Sequence, residues 1–283
     1  SNLIDSLTDF QLNFNNPYFQ NINTFELSNA SALIDAGLNL NEQFINSNPS
    51  KGTSVNDIGL FGGSNAGQIG PSKFHILNSN MSSAELFNVI NASYPGDSII
   101  FESGTYDISS EIVLKPYQYL SGTSSLYAIL NHNHTSSLIS LAKFTTIEHI
   151  MFNSNNGVVI NNNNSFGSIL SELIFKNAST GVIIDSGYLT IKNCNFYSCD
   201  TGMTFQSQTS SGQLLYNIFE ENSMAIENLS GNSIYSNSNI FYNNDTQFSV
   251  QLSETNNITN SLSSFANPEN NIFELKITSN AIV

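Results

Sequence analysis

The chain has 283 residues, 40% of them hydrophobic and only 10% charged, and its 20 Phe and 11 Tyr are sufficient for a sizeable core. Its net charge of −15 excludes nucleic acid and disfavours anionic membranes and polyuronates as partners, because those ligands require clustered Lys or Arg. Cations, above all Ca²⁺, remain compatible with this charge. No run of about 18 apolar residues is present, so membrane insertion is not predicted.

Two short phrases near the start of the chain return near its end. Phe14-Asn-Asn-Pro17 and Phe25-Glu-Leu27 reappear as Phe265-Ala-Asn-Pro268 and Phe273-Glu-Leu275. Repetition over about 250 residues predicts that the chain holds the tail of one unit and most of the next. On this interpretation, residues 1–70 close a preceding unit, and residues 261–283 form the last coil and the start of the next closing segment.

Residues 82–92 (SSAELFNVINA) predict one α-helix. Ser82 is placed as its N-cap and Glu85 completes a capping box. One helical face is apolar, formed by Leu86, Val89 and Ile90. The turn Pro95-Gly96-Asp97 ends the helix, and short apolar strands follow. An amphipathic helix at this place is expected to cover the open apolar end of those strands.

The central part of the chain repeats with a period of about 22 residues. A phenylalanine recurs in register at Phe152, Phe175, Phe196, Phe219 and Phe241. Five positions earlier stand the aliphatic residues Ile147, Leu170, Ile191 and Leu214. Apolar and polar residues alternate within each unit, and Gly, Asn and Ser separate the alternating stretches. This pattern favours short parallel strands in stacked coils, with these Phe and aliphatic side chains pointing inward.

Asparagine is frequent at the turn that follows each of these phenylalanines, at Asn155, Asn177, Asn222 and Asn243 or Asn244. In stacked coils about 4.8 Å apart, such side chains are expected to exchange amide hydrogen bonds along the axis.

Residues 84–122, with PGDSIIFESGTYDISSEIVLKPYQYLSG at their centre, resemble the N-terminal cap and first coils of the pectate-lyase-like right-handed parallel β-helix superfamily. With the repeats, the resemblance covers residues 74–260. It implies an all-β, right-handed parallel β-helix with coils of about 22 residues and an N-terminal capping helix at 82–92. Upstream, Ala32-Leu-Ile-Asp-Ala-Gly37 and Asn56-Asp-Ile-Gly-Leu-Phe-Gly-Gly63 resemble the AIDAG…DIGAYGG phrase that closes β-helix domains in large secreted bacterial proteins.

That superfamily includes polysaccharide lyases and hydrolases, so catalytic groups were sought. A lyase stabilises its developing enolate with a cation, yet the chain has no Arg, and Lys176 and Lys192 are expected to be outward and solvated. A glycosidase requires two carboxylates. Carboxylates on neighbouring coils are interpreted as surface or structural groups: Asp185 with Asp200, and Glu220-Glu221 with Glu172. The sequence therefore predicts no enzyme and no cofactor.

Metal and thiol chemistry have few candidates. His132 and His134 share a strand face, but nothing nearby supplies a third ligand, and they are interpreted as surface histidines. Asp35 and Asp57 are weak Ca²⁺ candidates, and capping turns beside Gly37 and Gly59 are the alternative. Cys194 and Cys199 are interpreted as structural, with a bridge or a reactive thiol left open.

The preferred function is a non-catalytic structural module of an extracellular or cell-surface fibre, filament or adhesin. Its partners would be identical subunits or neighbouring repeats, associated head to tail by β-strand addition, with glycans as a further class of partner. The predicted assembly interface consists of Phe14, Phe25, Leu27, Leu33, Ile34, Ile58, Phe265, Phe273, Leu275 and Ile277. Two alternatives stay open: a carbohydrate-active or carbohydrate-binding β-helix, and a phage tailspike-like fibre.

Overall fold

The computed structural model describes residues 19–21, 26–27, 73–123, 127–134, 136–155, 157–249, 253–260 and 263–276. The chain divides into two compact units, Ser1–Ser72 and Lys73–Val283. In the first unit, strands β1 (Phe19–Asn21) and β2 (Glu26–Leu27) pair antiparallel, with Phe19 opposite Leu27. Most of the predicted closing segment 1–70 lies outside the described residues.

The second unit is the predicted right-handed parallel β-helix, with coils of about 22 residues. Each coil adds one strand to each of three faces. The first face contains β3 (Phe74–Leu77), β4 (Ser98–Phe101), β7 (Tyr119–Gly122), β10 (Thr146–Glu148), β17 (Ser210–Leu215), β20 (Tyr235–Asn237) and β23 (Ser253–Thr255). The second face is an eight-stranded sheet of β5 (Gly104–Ile108), β8 (Ala128–His132), β11 (Ile150–Ser154), β13 (Ile174–Lys176), β15 (Asn195–Tyr197), β18 (Ile218–Glu220), β21 (Ile240–Tyr242) and β24 (Ile258–Asn260).

The third face contains β6 (Ile112–Val113), β9 (Ile139–Ser140), β16 (Thr201–Phe205), β19 (Met224–Asn228) and β22 (Thr246–Phe248). Two long strands, β12 (Val158–Ser171) and β14 (Thr180–Lys192), run from the third face into the first face of the next coil. The first and third faces are therefore joined in one 14-stranded sheet.

The predicted phenylalanine column is confirmed. Phe175 lies opposite Phe152 in one neighbouring coil and Phe196 in the other, and the same register continues through Phe219 to Phe241. The ring centroids are 4.6 to 5.3 Å apart along this column. Fully buried aliphatic residues accompany it at the predicted positions, Ile147, Leu170, Ile191 and Leu214. Because each coil repeats the same inward residue, one continuous apolar core runs along the axis.

The predicted helix is present as α1 (Ser83–Ala92), with Ser82 as its N-cap. The capping box forms, since the backbone N–H of Ser82 donates to the Glu85 carboxylate at 2.8 Å and the Glu85 N–H donates to the Ser82 hydroxyl at 3.4 Å. Leu86 and Ile90 are buried in the same apolar cluster as the coils. The helix therefore follows β3 and packs its apolar face on the first strands of the β-helix.

Asp97 has a role that the sequence did not reveal. Its carboxylate accepts hydrogen bonds from the backbone N–H groups of Lys73 (2.9 Å) and Tyr94 (2.8 Å) and lies 2.7 Å from Nε2 of His75. Burial favours a raised pKa, but these hydrogen bonds outweigh it and hold the pKa of Asp97 below its usual value. Asp97 thus joins the start of β3 to the turn that follows α1.

A row of residues in the left-handed backbone conformation separates the first face from the second. We call it the turn row; it comprises His149, Glu172, Asn193, Tyr216, Ser238 and Asn256, with φ between 53° and 57°. The residue after each of the last three points inward and is an asparagine. Asn217 donates from Nδ2 to Oδ1 of Asn239 at 2.9 Å, and Asn239 donates likewise to Asn257 at 3.1 Å. This ladder was not predicted.

A second amide ladder lies between the second and third faces, and of the residues predicted for it Asn222 and Asn244 are joined. Nδ2 of Asn222 donates to Oδ1 of Asn244 at 2.8 Å. Asn177 behaves differently, since it donates to Asn153 on the surface at 3.3 Å. Both ladders end at a buried free cysteine: the Cys194 N–H donates to Asn217 and the Cys199 N–H donates to Asn222. Burial raises the pKa of both thiols to about 12, which favours a structural role over that of a reactive thiol.

Candidate functional site

The described residues of the 261–283 segment form an antiparallel hairpin and not a further parallel coil. Strand β25 (Phe265–Asn267), a 3-10 turn (Pro268–Asn270) and β26 (Ile272–Leu275) follow one another, and Phe265 lies opposite Leu275. We call this element the C-terminal hairpin. The β1–β2 pair has the same pattern, with a Phe opposite the Leu of its F-E-L phrase. In both copies, the Glu and Leu of that phrase thus lie in the second strand of an antiparallel pair.

Lys176 attaches this hairpin to the outside of the second face. Its Nζ donates to the carbonyl oxygens of Pro268 (2.9 Å) and Glu269 (2.8 Å) and to Oδ1 of Asn271 (2.9 Å). All three donors of the ammonium group are therefore used. The prediction of a solvated Lys176 was wrong: the side chain does point outward, but the hairpin covers it and leaves the residue only 6% exposed. Desolvation lowers its pKa.

Tyr197 and Glu220 follow Lys176 in the same outward row, one coil apart each. The Tyr197 hydroxyl lies 2.8 Å from Oε2 of Glu221 and 2.7 Å from Oε1 of Glu269, and burial and these carboxylates raise its pKa. Glu220 accepts from the Ser263 hydroxyl at 2.6 Å and the Ser264 N–H at 2.9 Å. Glu220 was interpreted as a surface or structural acid, and it is a fully buried attachment point of the hairpin.

Apolar contacts complete the attachment. Phe265 is fully buried and clusters with Tyr197, Ile218 and Ile240 of the second face. Phe273 packs edge-on against both Tyr197 and Phe265. Among the residues predicted for the assembly interface, Phe265 is thus turned toward its own chain, whereas Leu275 is 39% exposed. Leu27 lies in β2, and the side chains of Phe14, Phe25, Leu27, Leu33, Ile34, Ile58 and Ile277 lie outside the described residues.

A groove of about 680 Å³ lies beside the C-terminal hairpin. One side is formed by the turn row at Asn193, Tyr216, Ser238 and Asn256, and the other by Phe273 and Leu275. Outward residues of the second face line it between these sides: Asn195, Ile218, Ile240 and Ile258. The groove could not be predicted from sequence, because its two sides come from segments that are distant in the chain.

A second polar cluster lies nearer the N-terminal end of the β-helix. His149 lies between two carboxylates, with Nε2 2.8 Å from Oε2 of Glu172 and Nδ1 3.4 Å from Oε1 of Glu148. Glu148 also accepts from the Tyr119 hydroxyl and from Ser171. Burial and the hydrogen bond to Glu148 raise the pKa of Tyr119. Two carboxylates thus lie within 3.4 Å of the ring nitrogens of one histidine.

The remaining candidate residues are dispersed. His132 and His134 do contact each other, with ring centroids 4.4 Å apart, but His132 is buried and held by Ser154 and the carbonyl of Ser136. The prediction that both are surface residues was therefore wrong for His132. Within the described ranges, no three His, Cys, Asp or Glu residues converge on a metal position. Asp35 and Asp57 lie outside the described residues.

No protein-family model and no curated protein matches this sequence. Several solved structures do match, among them three with TM-scores below 0.5. "Geobacillus virus E2 - ORF18" aligns with a TM-score of 0.47 and 15% identity over 59% of this chain and 41% of its own. Pectate lyase Pel9A aligns with a TM-score of 0.46 and 14% identity over 67% and 58%, respectively. A mutant of the PL6 family alginate lyase AlyGC aligns with a TM-score of 0.42 and 13% identity over 67% of this chain and 40% of its own. The chain thus spans less than two thirds of the length of each of these proteins.

In the part of the chain that the structure describes, no helix is both long and apolar enough to cross a membrane.

Proposed function

We propose that this chain is a non-catalytic structural module of an extracellular or cell-surface fibre, and that its copies associate head to tail by adding strands at the two ends of the β-helix. One observation carries this proposal: every face is a parallel ladder that ends in an edge strand at each end. The N-terminal edge strands are β3, β5 and β6, and the C-terminal ones are β22, β23 and β24. In the described ranges, the outer edges of these strands have no partner strand.

The N-terminal edge exposes apolar side chains. The carbonyls of Lys73 and Leu77 accept hydrogen bonds from the following strand, so the backbone groups of Phe74 and Ile76 point to the open side. Phe74 is 76% exposed and Ile76 is 60% exposed. An apolar edge strand is a template for another strand, which natural monomers usually protect. This exposure supports an interface at β3.

The C-terminal edge is complementary in direction. The N–H of Ile258 donates back to Asn239 at 2.8 Å, so the backbone N–H and carbonyl of Thr259 point away from the β-helix. Thr259 lies opposite Phe241 in the phenylalanine column and is exposed. A second copy stacked on this end would continue the ladders there, with its β5 added to β24 and its β3 added to β23. Because the two surfaces differ, the contact is heterologous and forms filaments.

The test blocks each end separately. Thr259→Pro removes the N–H that points to the open side, and Pro is tolerated on edge strands. Ile76→Lys places a charge on the opposite edge. We expect wild type to form filaments in electron micrographs, and each variant alone to sediment as a monomer. Thr259→Ser keeps the N–H and should assemble as the wild type does.

An equimolar mixture of the two blocked variants separates head-to-tail association from other modes. Each variant retains one intact end, and those ends are complementary, so the mixture should form dimers but no filaments. Filaments from either variant alone, or a mixture that stays monomeric, would contradict association through these edges.

A further inference from the structure

We propose that the groove beside the C-terminal hairpin binds an uncharged sugar chain, with Tyr216 as its stacking residue. The volume of about 680 Å³ falls within the range of about 300 to 1,000 Å³ that ligand sites usually have. This surface lies on the outside of the second face and reaches the C-terminal edge strand β24 at Ile258, whereas Tyr216 lies two coils away from that edge.

The charge of the groove selects the class of ligand. In a chain with a net charge of −15, none of the residues lining this groove is Asp, Glu, Lys or His. Its polar groups are the amides of Asn193, Asn195 and Asn256, the hydroxyl of Ser238 and the phenol of Tyr216. Amides and hydroxyls both donate and accept hydrogen bonds, as sugar hydroxyls do. An anionic sugar would find no cation there to offset its charge.

Tyr216 is unusual in its place. It occupies the left-handed conformation, with φ at 57°, between Asn193 and Ser238 in the neighbouring coils. A bulky side chain is rare in this conformation. Tyr117 and Phe144 also adopt it in this chain, but their rings stack on each other with centroids 5.1 Å apart, whereas the Tyr216 ring has no such partner among the described residues. The side chain of Tyr216 is 58% exposed, so packing against the protein does not explain why a tyrosine stands at this position. An exposed aromatic ring offers an apolar face on which the C–H face of a sugar can stack.

The remaining surface of the groove completes an amphipathic site. Ile218, Ile240 and Ile258 contribute apolar surface at its base, and Leu275 contributes an exposed apolar side chain from the hairpin. A few polar groups that converge over apolar surface are typical of small-molecule and saccharide sites.

Strand addition does not explain this groove. The backbone groups beneath it are already used in the second face, where the N–H groups of Asn195, Ile218 and Ile240 donate to Leu173, Cys194 and Asn217 at 2.8 to 2.9 Å. On this floor of the groove, a protein segment would have to bind through side chains. A sugar chain requires only the amides, hydroxyls and ring that the groove presents.

The experiment uses saturation-transfer NMR on the full chain with hexasaccharides of galactose, glucose and mannose. The hexasaccharide of galacturonic acid, in the same linkage as the galactose chain, is the charged comparator, since the two then differ only at the exocyclic C6 carbon of each sugar. We expect transfer to at least one neutral hexasaccharide and none to the galacturonic acid chain. Tyr216→Asn should weaken binding at least tenfold, while Tyr216→Phe should keep most of it.

The controls separate loss of the ring from loss of the fold. Asparagine is the residue type that the turn row itself uses at Asn193 and Asn256, so Tyr216→Asn preserves the local backbone preference. Tyr188→Asn removes another exposed tyrosine and should leave binding unchanged. Absence of transfer to every neutral hexasaccharide would overturn the assignment. Equal binding by the Tyr216→Asn variant, or an effect of that variant on sedimentation alone, would do so as well.

Discussion

At the scale of the residue, the phenylalanine column gives the first prediction. Phe196 is fully buried between Phe175 and Phe219, with ring centroids 4.6 and 4.7 Å away. Phe196→Ala should lower the free energy of unfolding by about 3 to 5 kcal/mol, because it leaves a cavity in the core. Urea denaturation measures this change. Tyr188→Ala, at an exposed ring, is the control and should change stability by about 0.5 kcal/mol or less. If the two variants lowered the free energy of unfolding equally, the burial of Phe196 in the phenylalanine column would be contradicted.

The amide ladder supports a second prediction. Oδ1 of Asn239 accepts from the N–H and the Nδ2 of Asn217, and its Nδ2 donates to the Leu214 carbonyl and to Asn257. Asn239→Asp keeps the oxygen that accepts from Asn217 and removes the Nδ2 hydrogens that donate to Leu214 and Asn257, while the volume of the side chain is nearly unchanged. Each buried acceptor left without a donor should cost about 1 to 3 kcal/mol. Thermal denaturation of this variant beside Asn133→Asp, at an exposed position, tests it; equal melting temperatures would count against the ladder.

Residues whose environment repeats in every coil could be predicted from the sequence. The phenylalanines recur in register, so their burial follows from the period. Lys176 shows where that reasoning ends: alternation with Phe175 gave its outward direction correctly, but its burial depends on Pro268, Glu269 and Asn271, far along the chain. The unpredicted ladder had a signal in the phrase Asn-Ile-Phe, which occurs at Asn217 and Asn239, although the same phrase at Asn271 lies in the C-terminal hairpin.

At the scale of the element, the C-terminal hairpin should respond to pH. Burial raises the pKa of Glu220 above its ordinary value of 4.5, although the hydrogen bonds from Ser263 and Ser264 oppose this. The folded chain therefore binds a proton at this site more tightly than the unfolded chain does. The resulting stability is fully present below pH 4.5 and is lost as the pH rises through the folded-state pKa.

Hydrogen exchange of the Lys276 N–H, which donates to Ser264 at 2.9 Å, reports attachment of the hairpin. Its protection should decline as the pH rises across that range, after correction for the intrinsic exchange rate. Glu220→Gln should remove this dependence, while Asp245→Asn, at an exposed acid, should leave it intact. A Glu220→Gln variant with an unchanged pH profile would show that another group is responsible.

Elements with local signals were predicted closely. The capping box and Pro95-Gly96-Asp97 placed α1 within one residue of its bounds. The C-terminal hairpin was not predicted, because its F-E-L phrase reads equally well as a strand of a coil or of a hairpin. Its attachment combines Lys176, Tyr197 and Glu220, which share one outward row only after the coils have stacked.

At the scale of the whole molecule, charge should control association. Two copies that each carry −15 repel one another as they approach end to end. Salt shortens the screening length from about 10 Å at 0.1 M to about 3 Å at 1 M. Sedimentation velocity should therefore show larger assemblies as salt is added. Dissociation on addition of salt would instead indicate that attractive charge pairs hold the copies together, contrary to a contact made by backbone and apolar groups.

The C-terminal hairpin also bears on how the second unit unfolds. In a solenoid each coil contacts only its neighbours, so coils at an end can detach one after another. The hairpin contacts Lys176, Tyr197, Ile218 and Ile240, which belong to four successive coils. Detaching any one of these coils disturbs contacts shared with the others. The hairpin thus acts as a clamp along the axis, which couples the last coils into one cooperative unit and protects that end from stepwise fraying.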